Sequence, residues 1–330
     1  MSETLVISPS WIGDAVLSHP LLARLKARDP QGAIDVLAPA WAVAIYERMP
    51  EVRRTIAFPF GHGELKLAER RRFARQLPRH DRAIVLPNSL KSALVPWFAG
   101  IQVRTGWRGE MRYGLLSDMR FLDKDALPLI VERYAALAQP AGEPLERPVP
   151  SPRLAVDPAR RDAAIARFGL DRNSPVLALV PGAEYGPAKR WPTRHFAAVA
   201  RDHASRGFQC WLFGSSKDAP VSAEIAALAG VPLVDLAGRT SLAEAIDLLS
   251  LAARVVTNDS GLMHVAAALD RPMAAVFGSS SPAYTPPLSA SARVVSLKLA
   301  CSPCFKRDCP LGHTDCLQKL APAQVLSVLD

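Results

Sequence analysis

The sequence predicts an α/β protein of two doubly wound, Rossmann-like domains, on three observations. Along both halves of the chain short apolar runs alternate with amphipathic stretches, the pattern of parallel strands joined by crossover helices. Between residues 139 and 158 the chain carries Pro140, Pro144, Pro148, Pro150, Pro152 and Pro158, which interrupt that alternation and favour an extended, semi-rigid connection. The length of 330 residues also exceeds what one core usually organises, at about 150 residues per domain. Domains are therefore expected over 1–150 and 151–330.

In the first half, residues 4–8, 33–38 and 82–86 read as buried strands and 15–28 and 90–99 as helices. Pro20 should kink or delay the first of these helices, because its ring removes a donor and crowds the preceding turn. In the second half, strands at 176–180, 209–213, 233–236, 254–257 and 273–277 alternate with helical runs such as 196–205 and 242–251. Folds of this kind bind ligands at the carboxyl ends of their strands, here expected in a cleft between the domains. No Gly-x-Gly-x-x-Gly follows a strand and no Walker A loop occurs, which argues against a nicotinamide dehydrogenase or a P-loop NTPase.

Charged residues at 22% and hydrophobic ones at 49% are ordinary for a soluble globular protein. The N-terminal residues show no signal peptide, and no apolar run approaches the ~20 residues that span a bilayer, so a cytoplasmic protein is expected. The net charge of +9 contains a local cluster, Lys66, Arg70, Arg71, Arg72, Arg75, Arg79 and Arg82. This reads either as a solvated helix face or as a surface for anionic lipid. Nucleic acid is disfavoured as a partner, since no nucleic-acid module or aromatic-interleaved basic motif is present.

Three motifs carry chemistry. In Thr257-Asn258-Asp259-Ser260-Gly261-Leu262-Met263-His264 a strand ends in a turn and a helix follows at once. Asp259 or Ser260 can cap that helix, Gly261 admits a ligand to the backbone, and the unpaired first-turn N–H groups attract phosphate. His264 lies one turn in, on the same side as the cap. The first strand of the second half runs into Pro181-Gly182-Ala183-Glu184-Tyr185-Gly186-Pro187-Ala188-Lys189-Arg190-Trp191-Pro192, which should hold Lys189 and Arg190 over the same sheet edge. A cation and a helix N-terminus together suit a departing diphosphate. The first strand of the chain leads into Pro9-Ser10-Trp11-Ile12-Gly13-Asp14, placing a carboxylate at the carboxyl end of the first sheet as a base, as an N-cap for a helix starting at Ala15, or as both.

These motifs, together with Leu86-Pro87-Asn88-Ser89-Leu90-Lys91-Ser92-Ala93 and Arg104-Thr105-Gly106-Trp107-Arg108-Gly109-Glu110-Met111-Arg112-Tyr113, resemble the ADP-heptose:lipopolysaccharide heptosyltransferases of glycosyltransferase family 9 over nearly the whole chain. The resemblance implies a GT-B fold with an N-terminal acceptor domain and a C-terminal ADP-heptose domain. It implies inverting transfer of L-glycero-D-manno-heptose from ADP-heptose to the heptosyl-Kdo2-lipid A inner core of lipopolysaccharide, with domain closure and no obligatory catalytic metal. Position by position, Asp14 matches the family's general base and Lys189 the lysine that contacts donor phosphate and sugar, while Asp259, Ser260, Gly261 and His264 match donor-binding residues. Arg104, Arg108 and Arg112 fall on the acceptor side, where a guanidinium fork suits carboxylates and phosphates. A membrane-resident acceptor would place the enzyme peripherally at the inner face of the inner membrane. A family 9 enzyme with a different acceptor, a non-catalytic nucleotide-sugar-binding module and a GT-B epimerase are the alternatives.

Cys301, Cys304, Cys309 and Cys316 crowd the C-terminus, while Cys210 sits alone in an apolar strand. In a reducing compartment such a cluster points to metal or redox chemistry, and the opening C-x2-C spacing suits a structural zinc or iron, a labile disulfide pair or free thiols.

Overall fold

The computed structural model describes residues 2–61 and 63–330. Apolar runs become parallel strands throughout. In the first sheet β1 (Glu3–Ile7), β2 (Ala33–Pro39), β3 (Arg54–Phe58), β4 (Arg82–Val85), β5 (Val103–Trp107) and β6 (Asp118–Arg120) pair in the order β3-β2-β1-β4-β5-β6. β1 lies at the centre, its Leu5 facing Asp35 on one side and Ala83 on the other, with four of its five residues buried. The second sheet holds β7 (Val176–Val180), β8 (Gln209–Leu212), β9 (Leu233–Asp235), β10 (Ala252–Asn258), β11 (Met273–Val276) and β12 (Ala292–Val295) in the order β12-β11-β10-β7-β8-β9. Each sheet therefore reverses its strand order once, between β1 and β4 and between β7 and β10. Those are the points where doubly wound folds hold ligands.

The chain divides into two units, Met1–Pro152 and Arg153–Asp330. Each has its own core: Leu5, Leu37, Ala83 and Val85 in the first, and Leu177, Leu179, Phe196, Leu212 and Val256 in the second. Much of the proline-rich stretch is packed rather than free. Arg24 Nη1 donates to Gln139 Oε1 at 3.0 Å, Gln139 Nε2 donates to Pro144 O at 2.9 Å, and Arg147 pairs with Glu132 at 2.8 Å, tying this stretch down as far as 147. Pro158 opens the helix Pro158–Phe168, with Asp157 as its N-cap, since a missing N–H costs nothing in a first turn.

The helix expected over 15–28 is two helices, Ile12–Leu17 and His19–Arg28, with Pro20 in the first turn of the second. The prolyl nitrogen cannot continue the ladder, so the chain restarts instead of kinking. β3, β5, β6 and β12 lie outside the expected strands, and all but β5 are edges of their sheets. The residues of the three edges are half-exposed or exposed apart from Val295, and β5 opens on exposed Val103 and half-buried Arg104, so the apolar run that marks a central strand is missing.

Candidate active site

In the second unit the loop after β7 and the turn after β10 meet where the strand order reverses. Asn258, fully buried at the end of β10, joins them: its Oδ1 accepts from Trp191 N at 3.0 Å and its Nδ2 donates to Pro181 O at 2.6 Å. Trp191 is itself buried and donates its indole N–H to Leu320 O at 2.9 Å. With both ends of the loop fastened, Lys189 Nζ stands 2.6 Å from Asp259 Oδ2 and 5.2 Å from the centre of the Tyr185 ring.

Ser260, not Asp259, caps the helix Gly261–Ala268, its Oγ accepting from Met263 N at 3.4 Å. Asp259 is thereby released to pair with Lys189. His264, on the first turn, is 5% exposed, and its Nδ1 finds no hydrogen-bond partner among the described residues. Burial lowers its pKa to about 4; the Asp259 charge opposes this and the Lys189 charge adds to it. The imidazole is therefore neutral at physiological pH and can accept or donate one hydrogen bond to a ligand. Beyond β11, the buried hydroxyls of Ser279 and Ser280 also find no partner among the described residues.

In the first unit Asp14 sits in the first turn of Ile12–Leu17, half-exposed, three residues after the true N-cap, Trp11. It is not the cap expected from the sequence, because the helix begins at Ile12 and not at Ala15. A first-turn carboxylate is favoured by the helix dipole in its ionised form. Beneath this loop lies a chain of buried hydroxyls: Tyr46 Oη donates to Ser8 Oγ at 2.8 Å and lies 3.1 Å from Ser18 Oγ, while Ser8 Oγ donates to Pro9 O at 2.7 Å. Burial pushes the Tyr46 phenol up to about 12, its two serine partners work against the rise, and the nearby Asp14 charge adds to it.

The profile of glycosyltransferase family 9 (heptosyltransferase) matches residues 70–315 of this chain. The lipopolysaccharide heptosyltransferase 2 of Salmonella typhimurium is 50% identical, over 99% of this chain and 97% of its own length. This chain belongs to glycosyltransferase family 9. A second family member, lipopolysaccharide heptosyltransferase 2 of Escherichia coli, is 48% identical over 99% of this chain and 97% of its own length. The solved structure of the E. coli ADP-heptose heptosyltransferase II superposes with a TM-score of 0.89 at 46% identity, covering 99% of this chain and 97% of that one. The two doubly wound domains are those of the GT-B fold.

Of the other residues singled out in this family 9 glycosyltransferase, Arg190 donates Nη2 to the Ala183 carbonyl of the same loop at 3.4 Å, and its buried Nε finds no partner among the described residues. Arg104 spends its donors on the carbonyls of Ile101, Gln102, Gly114 and Leu115, and Arg112, fully buried, on those of Pro87 and Trp107. Both guanidiniums brace turns, which leaves Arg108, exposed and stacked 4.9 Å from the Phe121 ring, as the outward one of the three. Within the basic cluster, Arg71, Arg72, Arg75 and Arg79 are exposed, but Arg70 is buried and Arg82 donates to Thr4 Oγ1 at 2.8 Å.

The four tail cysteines line one small cavity together with His313, of about 20 Å³, room for a single water-sized sphere. No three His, Cys, Asp or Glu side chains among the described residues are arranged to hold a metal ion. The same segment braces the loop that carries Lys189. Arg307 O accepts from Ala188 N at 3.0 Å and Phe305 O accepts from Tyr185 Oη at 2.9 Å. A Cβ on Gly186 would stand 2.5 Å from Arg307 O, so only glycine lets the two backbones approach. Sequence reading missed this bracing, as it missed Asn258. The signal for Asn258 was present, a polar residue closing an apolar strand; the bracing pairs residues over 100 positions apart.

Proposed function

We propose that this chain transfers L-glycero-D-manno-heptose from ADP-heptose to the heptosyl-Kdo2-lipid A inner core of lipopolysaccharide, with inversion at the anomeric carbon. The observation that carries this reading is the 50% identity, over nearly the full length of both chains, to an enzyme named lipopolysaccharide heptosyltransferase 2. In this reading residues 1–150 hold the acceptor and 151–330 the donor.

The donor diphosphate takes the Lys189 ammonium and the open N–H groups at Gly261, where Ser260 caps the helix; Asp259 aims the lysine and His264 Nδ1 bonds the bound donor. What supports this is the Lys189–Asp259 pair beside an unpartnered buried imidazole. The Asp14 carboxylate takes the proton of the acceptor hydroxyl as its oxygen bonds to the anomeric carbon; the bond to the diphosphate breaks and ADP leaves with that electron pair. Arg108 is the acceptor-side cation of the three arginines, supported by its exposure, while Arg104 and Arg112 shape the loop that carries it. Incubating pure protein with ADP-heptose and defined core acceptors should add the mass of one heptose and release ADP. Donor hydrolysis without transfer, or transfer only to a different acceptor, sinks the reading.

Among the described residues no helix is long and apolar enough to cross a membrane. A peripheral place on the anionic inner face of the inner membrane is supported by the exposed Arg71, Arg72, Arg75 and Arg79. One structural zinc or iron in the tail is supported by the C-x2-C spacing and by the cavity that the four thiols share. Their side chains would have to close in on the ion, because they present no three-ligand set as they stand. Elemental analysis of protein purified without affinity metal should find close to one ion per chain, and a metal-free, fully active preparation removes this proposal.

A further inference from the structure

The tail that carries the cysteines meets the second sheet on both sides of β10, the strand that ends at the Lys189–Asp259 pair. From 296 to 314 the chain forms neither helix nor strand, so no backbone ladder holds it. It is fastened at isolated points instead. On the β11 side Ser302 Oγ donates to Gly278 O, Phe305 N donates to Ser279 O at 2.7 Å, and a Cβ on Gly278 would stand 3.1 Å from Cys316 Sγ. On the β7 side Ala188 N donates to Arg307 O and Tyr185 Oη to Phe305 O, with the Arg307 guanidinium 5.8 Å from the Tyr185 ring. Tyr185 thus has its hydroxyl on the tail and its ring 5.2 Å from Lys189 Nζ.

Phe305 holds this arrangement in an unfavourable backbone. Its φ of +55° is left-handed, a conformation that a residue with a Cβ rarely adopts, and both its N–H and its carbonyl are spent, on the Ser279 carbonyl and the Tyr185 hydroxyl. Such strain persists only where the surroundings over-determine it. Phe305 and Arg307 lie between Cys304 and Cys309, and the four tail cysteines line a cavity with room for one water-sized sphere. Cys301 is exposed and Cys304, Cys309 and Cys316 are half-buried, so reagents reach them, whereas Cys210 is 1% exposed. A group added to a thiol that lines this cavity has no room in it and displaces the segment that carries Phe305 and Arg307.

We propose that the cysteine tail is a clasp that positions Lys189 through Tyr185, and that its thiols are a modification site at which low-molecular-weight disulfides open the clasp and weaken donor binding. A cysteine sulfur bonds to one sulfur of the disulfide, the disulfide's own S–S bond breaks, and its other half leaves as a thiol with the proton the cysteine gave up. The mixed disulfide overfills the cavity, Phe305 and Arg307 withdraw from Tyr185 and Ala188, and the Lys189 ammonium loses the loop that aims it. Reduction closes the clasp again. Tyr185 is a positioning residue in this scheme, and the proposal rests on the reading of Lys189 as a donor contact.

The full-length enzyme and its Tyr185→Phe and Gly186→Ala variants are titrated with ADP-heptose before and after treatment with dithiodipyridine, an aromatic disulfide, with a chelator in every arm and mass spectrometry to map the modified thiols. Tyr185→Phe removes one neutral hydrogen bond and should raise the ADP-heptose dissociation constant about 2- to 10-fold. Gly186→Ala drives a methyl group into Arg307 O, and both this variant and the modified wild type should lose about 10-fold or more. Acceptor KM should stay within about twofold of wild type throughout, which unfolding would not spare. Because the clasp is already open in Gly186→Ala, modification should cost that variant nothing further, and dithiothreitol should restore the wild type. Wild-type donor affinity in both Tyr185→Phe and the modified enzyme overturns the clasp, as do tail thiols that fail to react and a full additional loss on modifying Gly186→Ala. Should Gly186→Ala fail to fold, Tyr185→Phe and the modified wild type decide alone. If Lys189→Ala leaves donor affinity intact, the reading of Lys189 falls and the clasp with it; if Lys189→Ala weakens the donor and the other arms do not, the clasp alone falls.

Discussion

At the scale of single residues, the proposed chemistry rests on Asp14 and on the Lys189–Asp259 pair. Because Trp11 and not Asp14 occupies the N-cap position, Asp14→Asn keeps the size of the side chain and takes away its charge, and with it the proton acceptor and part of a favourable dipole contact. Turnover should fall about 10²–10⁴-fold, the usual cost of losing a general base, with ADP-heptose affinity and melting temperature near wild type. A variant that keeps more than about a tenth of wild-type kcat, with chemistry rate-limiting, places the base elsewhere. Lys189→Ala should weaken ADP-heptose binding by ~1.5–3 kcal/mol or more, since it also leaves the Asp259 carboxylate facing the diphosphate unpaired. Adding Asp259→Asn to that variant should recover part of the loss, and acceptor affinity should hardly move in either. Titrations in which donor and acceptor affinities fall together would point to unfolding and against a donor contact.

At the scale of elements, a charge cluster anchors the edge of the first sheet. Asp35 on β2 is completely buried and receives Arg53 Nε at 2.8 Å, Arg54 Nε at 2.8 Å and His80 Nε2 at 3.0 Å. Burial alone would raise its pKa, but these hydrogen bonds win and hold it at about 2, below its ordinary 3.8. The group's folded value is depressed, so its stabilisation is complete above about pH 4 and is lost as pH falls from there toward 2. Asp35→Asn should therefore cost about 2 kcal/mol at neutral pH and flatten the acid limb of the stability curve between those values. An unchanged acid limb would mean that the cluster is already formed in the unfolded chain.

At the scale of the whole molecule, the question is where the enzyme works. Four of the arginines on and after the helix Leu67–Ala74 face solvent, and none of the described helices can span a bilayer. Binding to vesicles rich in anionic lipid should be measurable and should fall steeply with salt, because exposed charges are screened beyond ~10 Å at 0.1 M. Reversing Arg71, Arg72 and Arg75 should abolish it; binding that survives the reversal makes the run an ordinary solvated face.

The sequence by itself determined what neighbouring residues settle among themselves. The apolar runs at 33–38, 82–86, 176–180 and 254–257 were legible as buried strands and fall on β2, β4, β7 and β10, because burial on both faces leaves a nearly continuous signature. The turn at Asn258–Gly261 and the loop reaching Lys189 were legible too, since each is spelled by contiguous residues. Tertiary structure alone decided which side chains are spent. Arg70, Arg71 and Arg72 are adjacent and chemically alike, yet one is buried between two phenylalanines and two are in water. Arg104 and Arg112 read as acceptor cations until the carbonyls of turns absorb their donors. Strands β3, β5, β6 and β12, the Asn258 staple and the bracing of Gly186 by Arg307 were hidden for the same reason. A local pattern records periodicity and caps, whereas the partner of a long polar side chain is chosen by whatever distant backbone the packed sheets bring within 3 Å of it.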